Sequence, residues 1–411
     1  MLLVGILLAQ LVSTDLRPNR SDLADRVKRM DASWVSHKDV VRRQAAVVEI
    51  SGAVMAFFSG QTGDACRALD RAMSALEKKA PAGLDALIVR SEPRVAKPGE
   101  DVKLTFGWAY SASDTPIKVL GKTYMVEPSK NLVVSVHAAK TEGVQRISFE
   151  SGKERRVASI NVINDFDARV AKLKTSPTSS AIADALQQVA AGTYETEIPA
   201  ADWLARGERI QKLSWKAVEE IPAVDYVGTR FRVQIPAGAP TDAPVVIALH
   251  GAGGSENMFF ESYGAGAAPK EAKKRGWVFM SPRSSTGAVP ACLAWLRDQR
   301  RMNPRKVFVM GHSMGGGLAL SKETLGAKPD ALALFAPATA GSLPTAIGDT
   351  PVFLAVGKQE MAMLHTSAAR LGIQLEKRPK SIYKQYDRCE HLMIVAEAAA
   401  DAFRFFDKLC R

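Results

Sequence analysis

Residues 307–317 read VFVMGHSMGGG. An apolar run, Val307 to Met310, leads straight into a serine pinned between glycines, and an amphipathic helix is expected after it, over Leu318 to Leu325. A buried strand that turns abruptly into a helix needs this arrangement. Side chains flanking the apex would collide, so Gly311 and Gly315 are required where neighbouring elements approach. The turn lifts the Ser313 hydroxyl out of the sheet, and the helix start offers free N–H groups and a positive dipole end. Two readings compete: a tight turn and nothing more, or a serine exposed as a nucleophile.

The stretch VVIALHGAGGSENMFF (Val245 to Phe260) favours the second. A strand ends at Leu249, and the loop His250-Gly-Ala-Gly-Gly254 has glycines that bring backbone N–H groups close to a bound oxygen. An oxyanion hole is expected from the Met314 N–H plus one donor among Gly251 to Gly253, with Ala252 first and Gly251 beside it. Losing one such donor costs ~3 kcal/mol of transition-state stabilisation. His250 reads as a structural residue that fixes the loop.

A serine hydroxyl is a poor nucleophile at neutral pH and needs a general base. Of the 6 histidines, His391 is best placed, in the loop between the last strand (Ser381 to Tyr386) and a terminal helix. His37 and His137 fall in upstream segments, His365 on a helix, and His312 inside the turn, where it points away from the reaction. An acid must orient the base. Glu360 follows the strand Val352 to Val356 by the short turn Gly357-Lys-Gln, and Asp387 and Glu390 are rivals close to His391. The chain order serine, acid, histidine suits an α/β-hydrolase arrangement.

Working outward, Val245 to Leu249, Val278 to Ser281, Val307 to Met310, Ala331 to Phe335 and Val352 to Val356 are short continuous apolar runs separated by helical stretches. Buried parallel strands have this form, and Thr229 to Ile235 reads as an antiparallel entry strand. A doubly wound α/β sheet is expected over 218–411, with functional residues at the carboxyl ends of its strands. Upstream, 15–82 has helical periodicity: Leu23, Val27, Met30 and Trp34 fall on one face. Over 85–165 the period changes to two, with Val102, Leu104, Phe106 and Trp108 alternating after Pro98-Gly99 and a hairpin signal at Ser151-Gly152. A small immunoglobulin-like β-sandwich is expected there. Its Trp108, Tyr110 and Tyr124 are read as core in preference to a sugar-binding face. Residues 166–217 read as a linker with helices.

The chain has 411 residues and a net charge of +12, with basic residues scattered among acids and no nucleic-acid recognition motif. The 4 cysteines lack the spacing of a zinc site, so no metal is expected. A Cys292–Cys389 disulfide and four free thiols are equally compatible with the sequence. The apolar run at 1–13, too short to span a bilayer, has the length of a signal-peptide core, and export to a periplasmic or extracellular space is expected over a cytoplasmic location. No integral membrane segment is foreseen.

On LHGAGG, GHSMGG, the strand ending VGKQE, and EHLMIV, the C-terminal region resembles the α/β-hydrolase superfamily. It is similar to small carboxylesterases, dienelactone hydrolases and polyhydroxybutyrate depolymerase-type esterases. The resemblance implies a cofactor-free serine esterase with Ser313, His391 and Glu360 as its triad, acting on a small-molecule or polymer ester. Glu360 stands where this group usually has aspartate. The short interval between Ser313 and Glu360 implies an open site without a large lid, suited to short or exposed acyl groups. A serine peptidase of the same fold and a non-catalytic binding protein are the alternatives. The segments upstream carry none of the resemblance; attachment to a surface or polymer is one role open to them.

Overall fold

A computed structural model of the chain describes residues 11–12, 16–80, 83–110, 113–128, 130–196, 198–213 and 218–410. The signal-peptide expectation at 1–13 falls almost wholly outside them.

The sheet that carries the quoted stretch has eight strands: β1 (Glu220–Tyr226), β2 (Thr229–Gln234), β3 (Val245–Leu249), β4 (Val278–Pro282), β5 (Val307–His312), β6 (Ala331–Phe335), β7 (Val352–Gly357) and β8 (Ile382–Tyr386). Their spatial order is β1-β2-β4-β3-β5-β6-β7-β8. β1 and β2 are antiparallel to their neighbours, and all later pairs are parallel. Every residue of β3, β4, β6 and β7 is buried, as the continuous apolar runs require. The connections diverge on either side of β3, so the crevice of this sheet opens at the carboxyl ends of β3 and β5. The sequence conceals β1, because Pro222 interrupts its pattern; the register slips between Ile221 and Val224 to accommodate the break.

Helices cover both faces. On one, Phe166–Lys174, Ser180–Ala191 and Ala200–Lys212 pack with Ala288–Arg300 and Ala362–Glu376. Residues 166–217 are therefore not a linker over their described part. Ile182, Leu186, Trp203 and Leu204 share a core with Ile221, Phe231, Val233 and Trp295, because β1 and β2 present an apolar face that these helices bury.

The opposite face carries the helix from Tyr263 to Lys274, the terminal helix Ile394–Cys410, and an N-terminal bundle of α1 (Arg20–Ser36), α2 (Val40–Phe58) and α3 (Thr62–Glu77). Asn19 and Asp22 form a capping box on α1, and Asp39 caps α2 by accepting from the Arg42 N–H. Met30, Trp34, Ile50, Leu69 and Leu76 pack into the same core as Phe308, Phe353 and Phe403. The bundle is thus a layer of the α/β body. Polar pins reinforce this: the Trp34 indole donates to Glu397 at 2.8 Å, and Arg43 donates to the same carboxylate at 3.0 Å.

The two sheets of the β segment enclose Leu104, Phe106, Val134, Ile147, Phe149 and Ile160. Phe106 and Phe149 meet edge to face at 5.3 Å. Trp108 is buried and donates to the Glu127 carbonyl, Tyr124 packs on the core, and the Tyr110 hydroxyl donates to Asp70 of α3 at 3.0 Å. All three aromatics are engaged within the chain. The joint between bundle and sandwich is ionic: buried Arg26 holds Asp70 at 2.9 Å and the Asp85 carbonyl at 2.6 Å, while Arg90 holds Asp22.

All four cysteines are free. Cys292 and Cys389 belong to cores on opposite faces of the sheet, so the sheet itself stands between them and no disulfide links them.

Candidate active site

Ser313 directly follows β5 with φ 53 and ψ −119, a backbone conformation costly for a side-chain-bearing residue and persistent only where its surroundings impose it. The flanking glycines show what imposes it. A Cβ on Gly311 would lie 2.3 Å from the Gly315 carbonyl oxygen, and one on Gly315 would lie 2.1 Å from the Leu249 carbonyl oxygen. Neither position admits a side chain. The expected helix over Leu318 to Leu325 is a correction: the helix starts at once, as Met314–Leu318, and a second short helix, Lys322–Leu325, follows after Ser321 caps it. Three successive glycines, Gly315 to Gly317, hug neighbouring backbone too closely for a long regular helix to continue from them.

Three strand ends bring the chemistry together. His391 Nε2 lies 2.9 Å from Ser313 Oγ, and His391 Nδ1 lies 3.0 Å from Glu360 Oε2. All three residues are buried. The turn after β7 places Glu360, whose other oxygen accepts from the Met361 N–H at 2.8 Å. This turn and the His391 loop are tied to each other: Gln359 N–H donates to the Cys389 carbonyl, and the Gln359 side chain accepts from the Cys389 N–H. Gly357 permits the approach, since a Cβ there would meet the Cys389 carbonyl oxygen at 2.0 Å.

The two rival acids are engaged elsewhere. Asp387 is exposed and pairs with Lys358 at 2.7 Å. Glu390 is buried and accepts from the N–H groups of Leu392 and Met393, so it anchors the start of the terminal helix; burial pushes its carboxyl up to about 7.

The loop after β3 divides its donors. The Gly251 N–H donates to the Tyr263 hydroxyl at 3.1 Å. Gly251 is therefore corrected from oxyanion donor to anchor, because its hydrogen is already used. Ala252 lines the cleft with Ser313 and His391, and among the described residues neither its N–H nor that of Met314 has a partner. The His250 ring fixes this loop, bonding the Gly251 carbonyl at 2.8 Å and accepting from the Ser284 N–H at 3.0 Å; burial lowers its pKa. Arg283 binds buried Glu256 at 2.8 Å.

The sequence misses two participants. His312 does not simply point away: its Nε2 bonds the His391 carbonyl at 2.8 Å, and its Nδ1 lies 2.7 Å from the Tyr263 hydroxyl. Complete burial, with the His391 ring beside it, holds His312 neutral, well below the ordinary histidine range. A carbonyl only accepts, so Nε2 carries the single ring proton and Nδ1 takes a hydrogen bond from Tyr263. A continuous chain results: Gly251 N–H to Tyr263 oxygen, Tyr263 O–H to His312, His312 to the His391 carbonyl. It couples the loop after β3 to the loop after β8. Tyr263 itself has φ 50, and Tyr263 to Gly266 all take positive φ, a run no periodicity reveals. The next N–H, of Gly264, donates to Asp31 of α1 at 3.1 Å.

The site is a partly open cleft with a wall on one side. A cleft of about 420 Å³ above Ser313 is walled by α1 and α2 through Leu23, Val27, Val54 and Phe57. Arg20 of α1 donates to the Gly253 carbonyl at 2.6 Å and pairs with Glu195 at 2.7 Å. The interval between Ser313 and Glu360 carries no large lid, in keeping with its length; the wall comes from the other end of the chain.

Strand order, the strained serine turn and the serine, acid, histidine sequence along the chain together describe an α/β-hydrolase fold. Comparison with known proteins finds no matching family model and no matching curated protein. Among solved structures, the chain is similar to Est1E from Butyrivibrio proteoclasticus, with TM-score 0.37 and 13% identity, over 47% of this chain and 99% of that one. An esterase of Pyrobaculum calidifontis gives TM-score 0.37 and 13% identity, over 60% of this chain and 94% of its own. An esterase/lipase from an uncultured bacterium gives 0.35 and 17%, over 59% and 97%.

Proposed function

We propose that this chain is a serine hydrolase of carboxylic esters working through an acyl-enzyme. The observation that carries this is the unbroken chain Ser313 Oγ, His391, Glu360, at 2.9 and 3.0 Å, mounted on the ends of three strands beside two free backbone donors. In this mechanism His391 Nε2 takes the Ser313 proton as Oγ attacks the ester carbonyl. The tetrahedral oxygen is held by the N–H groups of Met314 and Ala252, fixed before the reaction and so requiring no reorganisation. His391 then delivers the proton to the leaving alcohol. Water, deprotonated by the same nitrogen, hydrolyses the acyl-enzyme and restores Ser313. Glu360 holds Nδ1–H in place and stabilises the transient imidazolium. No step calls for a metal or organic cofactor.

Turnover of p-nitrophenyl esters by the purified chain, beside Ser313→Ala, tests this. Hydrolysis that disappears in the variant is expected. A folded protein inert toward every ester, or turnover that survives in Ser313→Ala, would overturn it.

A further inference from the structure

The cleft has unlike halves. The strand ends contribute Ser313, His391 and the Gly251 to Gly254 loop, while the N-terminal helices contribute Leu23, Val27, Val54 and Phe57. Phe57 is pressed against the loop itself: a Cβ on Gly253 would stand 2.5 Å from the tip of its ring. The charged groups around this wall are engaged with protein partners, Arg20 with Glu195, Glu261 with Arg232 at 2.7 Å, and Asp25 with Arg29 at 2.9 Å. Lys28 of α1 also lines the cleft, beside Glu261; between these charges, the surface that Leu23, Val27, Val54 and Phe57 offer a substrate is apolar.

The direction of the acyl chain follows from the reaction. The leaving oxygen must face His391 Nε2, which protonates it, while the carbonyl oxygen sits at Ala252 and Met314. The remaining substituent on the carbonyl carbon leaves that carbon beside the oxyanion loop, where Phe57 stands. Building on the ester-hydrolase reading above, we propose that α1 and α2 form the acyl-binding wall, and that the preferred substrates are esters of uncharged hydrophobic acids of medium length, roughly six to ten carbons for a cleft of this size. The bundle is then a specificity element of the enzyme, and acetate leaves most of its wall unused.

The test is kcat/KM over p-nitrophenyl acetate to dodecanoate, for the wild type, Val54→Trp, Phe57→Ala, and Val48→Trp on the exposed outer face of α2. Each methylene buried in the transition state contributes up to about fourfold. At least a tenfold rise from acetate to octanoate is expected in the wild type. Val54→Trp fills the cleft and should cut the octanoate-to-acetate ratio at least tenfold, Phe57→Ala should move the optimum to longer or bulkier chains, and Val48→Trp should leave the profile unchanged. Ser313-dependent turnover with a flat series, or a maximum at acetate unmoved by Val54→Trp, overturns the acyl wall and leaves the esterase reading standing. Calorimetry of octanoate with Ser313→Ala, and with Ser313→Ala combined with Val54→Trp, reads the wall without turnover. Binding that the second substitution abolishes is expected; absence of binding to both, or equal binding to both, contradicts the proposal.

Discussion

The two walls of the cleft differ in kind. The wall made by β3, β5, β7 and the loop after β8 is polar and fixed: glycines whose Cβ atoms would strike backbone, a serine held at φ 53, and side chains hydrogen-bonded to one another. The wall made by α1 and α2 is mainly apolar, edged by Arg20, Asp25 and Lys28, and is held to its neighbours by a shared core and a few polar pins, Arg20 to Gly253, Asp31 to Gly264, and Trp34 and Arg43 to Glu397. Chemistry demands particular atoms within tenths of an ångström, whereas an acyl chain demands only apolar surface of the right depth. Substitutions in the first wall should therefore change rates by orders of magnitude, and substitutions in the second should redistribute substrates.

The largest expected effect is at Ser313 and His391, the proposed nucleophile and base. Ser313→Ala and His391→Ala should each lower kcat about 10^6-fold, and the double variant should fall no further, because the two act as one unit. A strictly multiplicative loss in single-turnover kinetics would break the comparison at its strongest point. Next, Glu360→Gln should lower kcat about 10^4-fold by losing the charge that holds the reactive tautomer of His391. Asp387→Asn, at an exposed residue paired with Lys358, should leave kcat unchanged. Equal losses in both would move the acid away from Glu360.

How legible these walls are in sequence follows from the same contrast. GHSMGG and HGAGG announce themselves because a tight turn and a close approach admit only glycine at fixed spacings. Glu360 was marked by its place after a strand end. The α1 and α2 wall was silent: Leu23, Val27, Val54 and Phe57 carry the periodicity of any packed helix, and nothing local says that they face Ser313 across more than 250 residues of chain. The bonding of His312 is hidden from the sequence because its partners, Tyr263 and the His391 carbonyl, come from distant elements. Strand β1 and the packing of the 166–217 helices against the sheet are hidden for another reason. A proline blurs the first, and the second reads in sequence as a linker with helices, although its apolar stripes cover a sheet face.

Smaller effects sharpen the picture where the walls meet. Tyr263→Phe leaves the Gly251 N–H and His312 Nδ1 without partners. A drop in kcat of about tenfold with little change in KM is expected, together with a stability loss of about 1–3 kcal/mol. Stopped-flow kinetics beside denaturant titration separates the two, and a loss confined to stability would reduce Tyr263 to a packing residue.

Smallest is a pH effect at Asp31, whose complete burial pushes its carboxyl up to about 7. The folded state holds a proton that the unfolded chain releases near pH 4, so this contribution to stability is complete below about pH 4 and is lost as pH rises through about 7. Glu390 acts in the same direction over the same range. Asp31→Asn should therefore show a smaller fall in Tm between about pH 5 and pH 8 than the wild type. An identical fall in both would remove Asp31 from the account.

The most direct measurement is covalent. The purified chain is treated with a fluorophosphonate and followed by intact mass and peptide mapping. One adduct per chain, on the peptide carrying Ser313 and absent from Ser313→Ala, is the expected result, since only an activated serine beside a formed oxyanion hole attacks phosphorus rapidly. A folded protein that stays unlabelled, or carries its label on another residue, would contradict the assignment of Ser313 as the nucleophile.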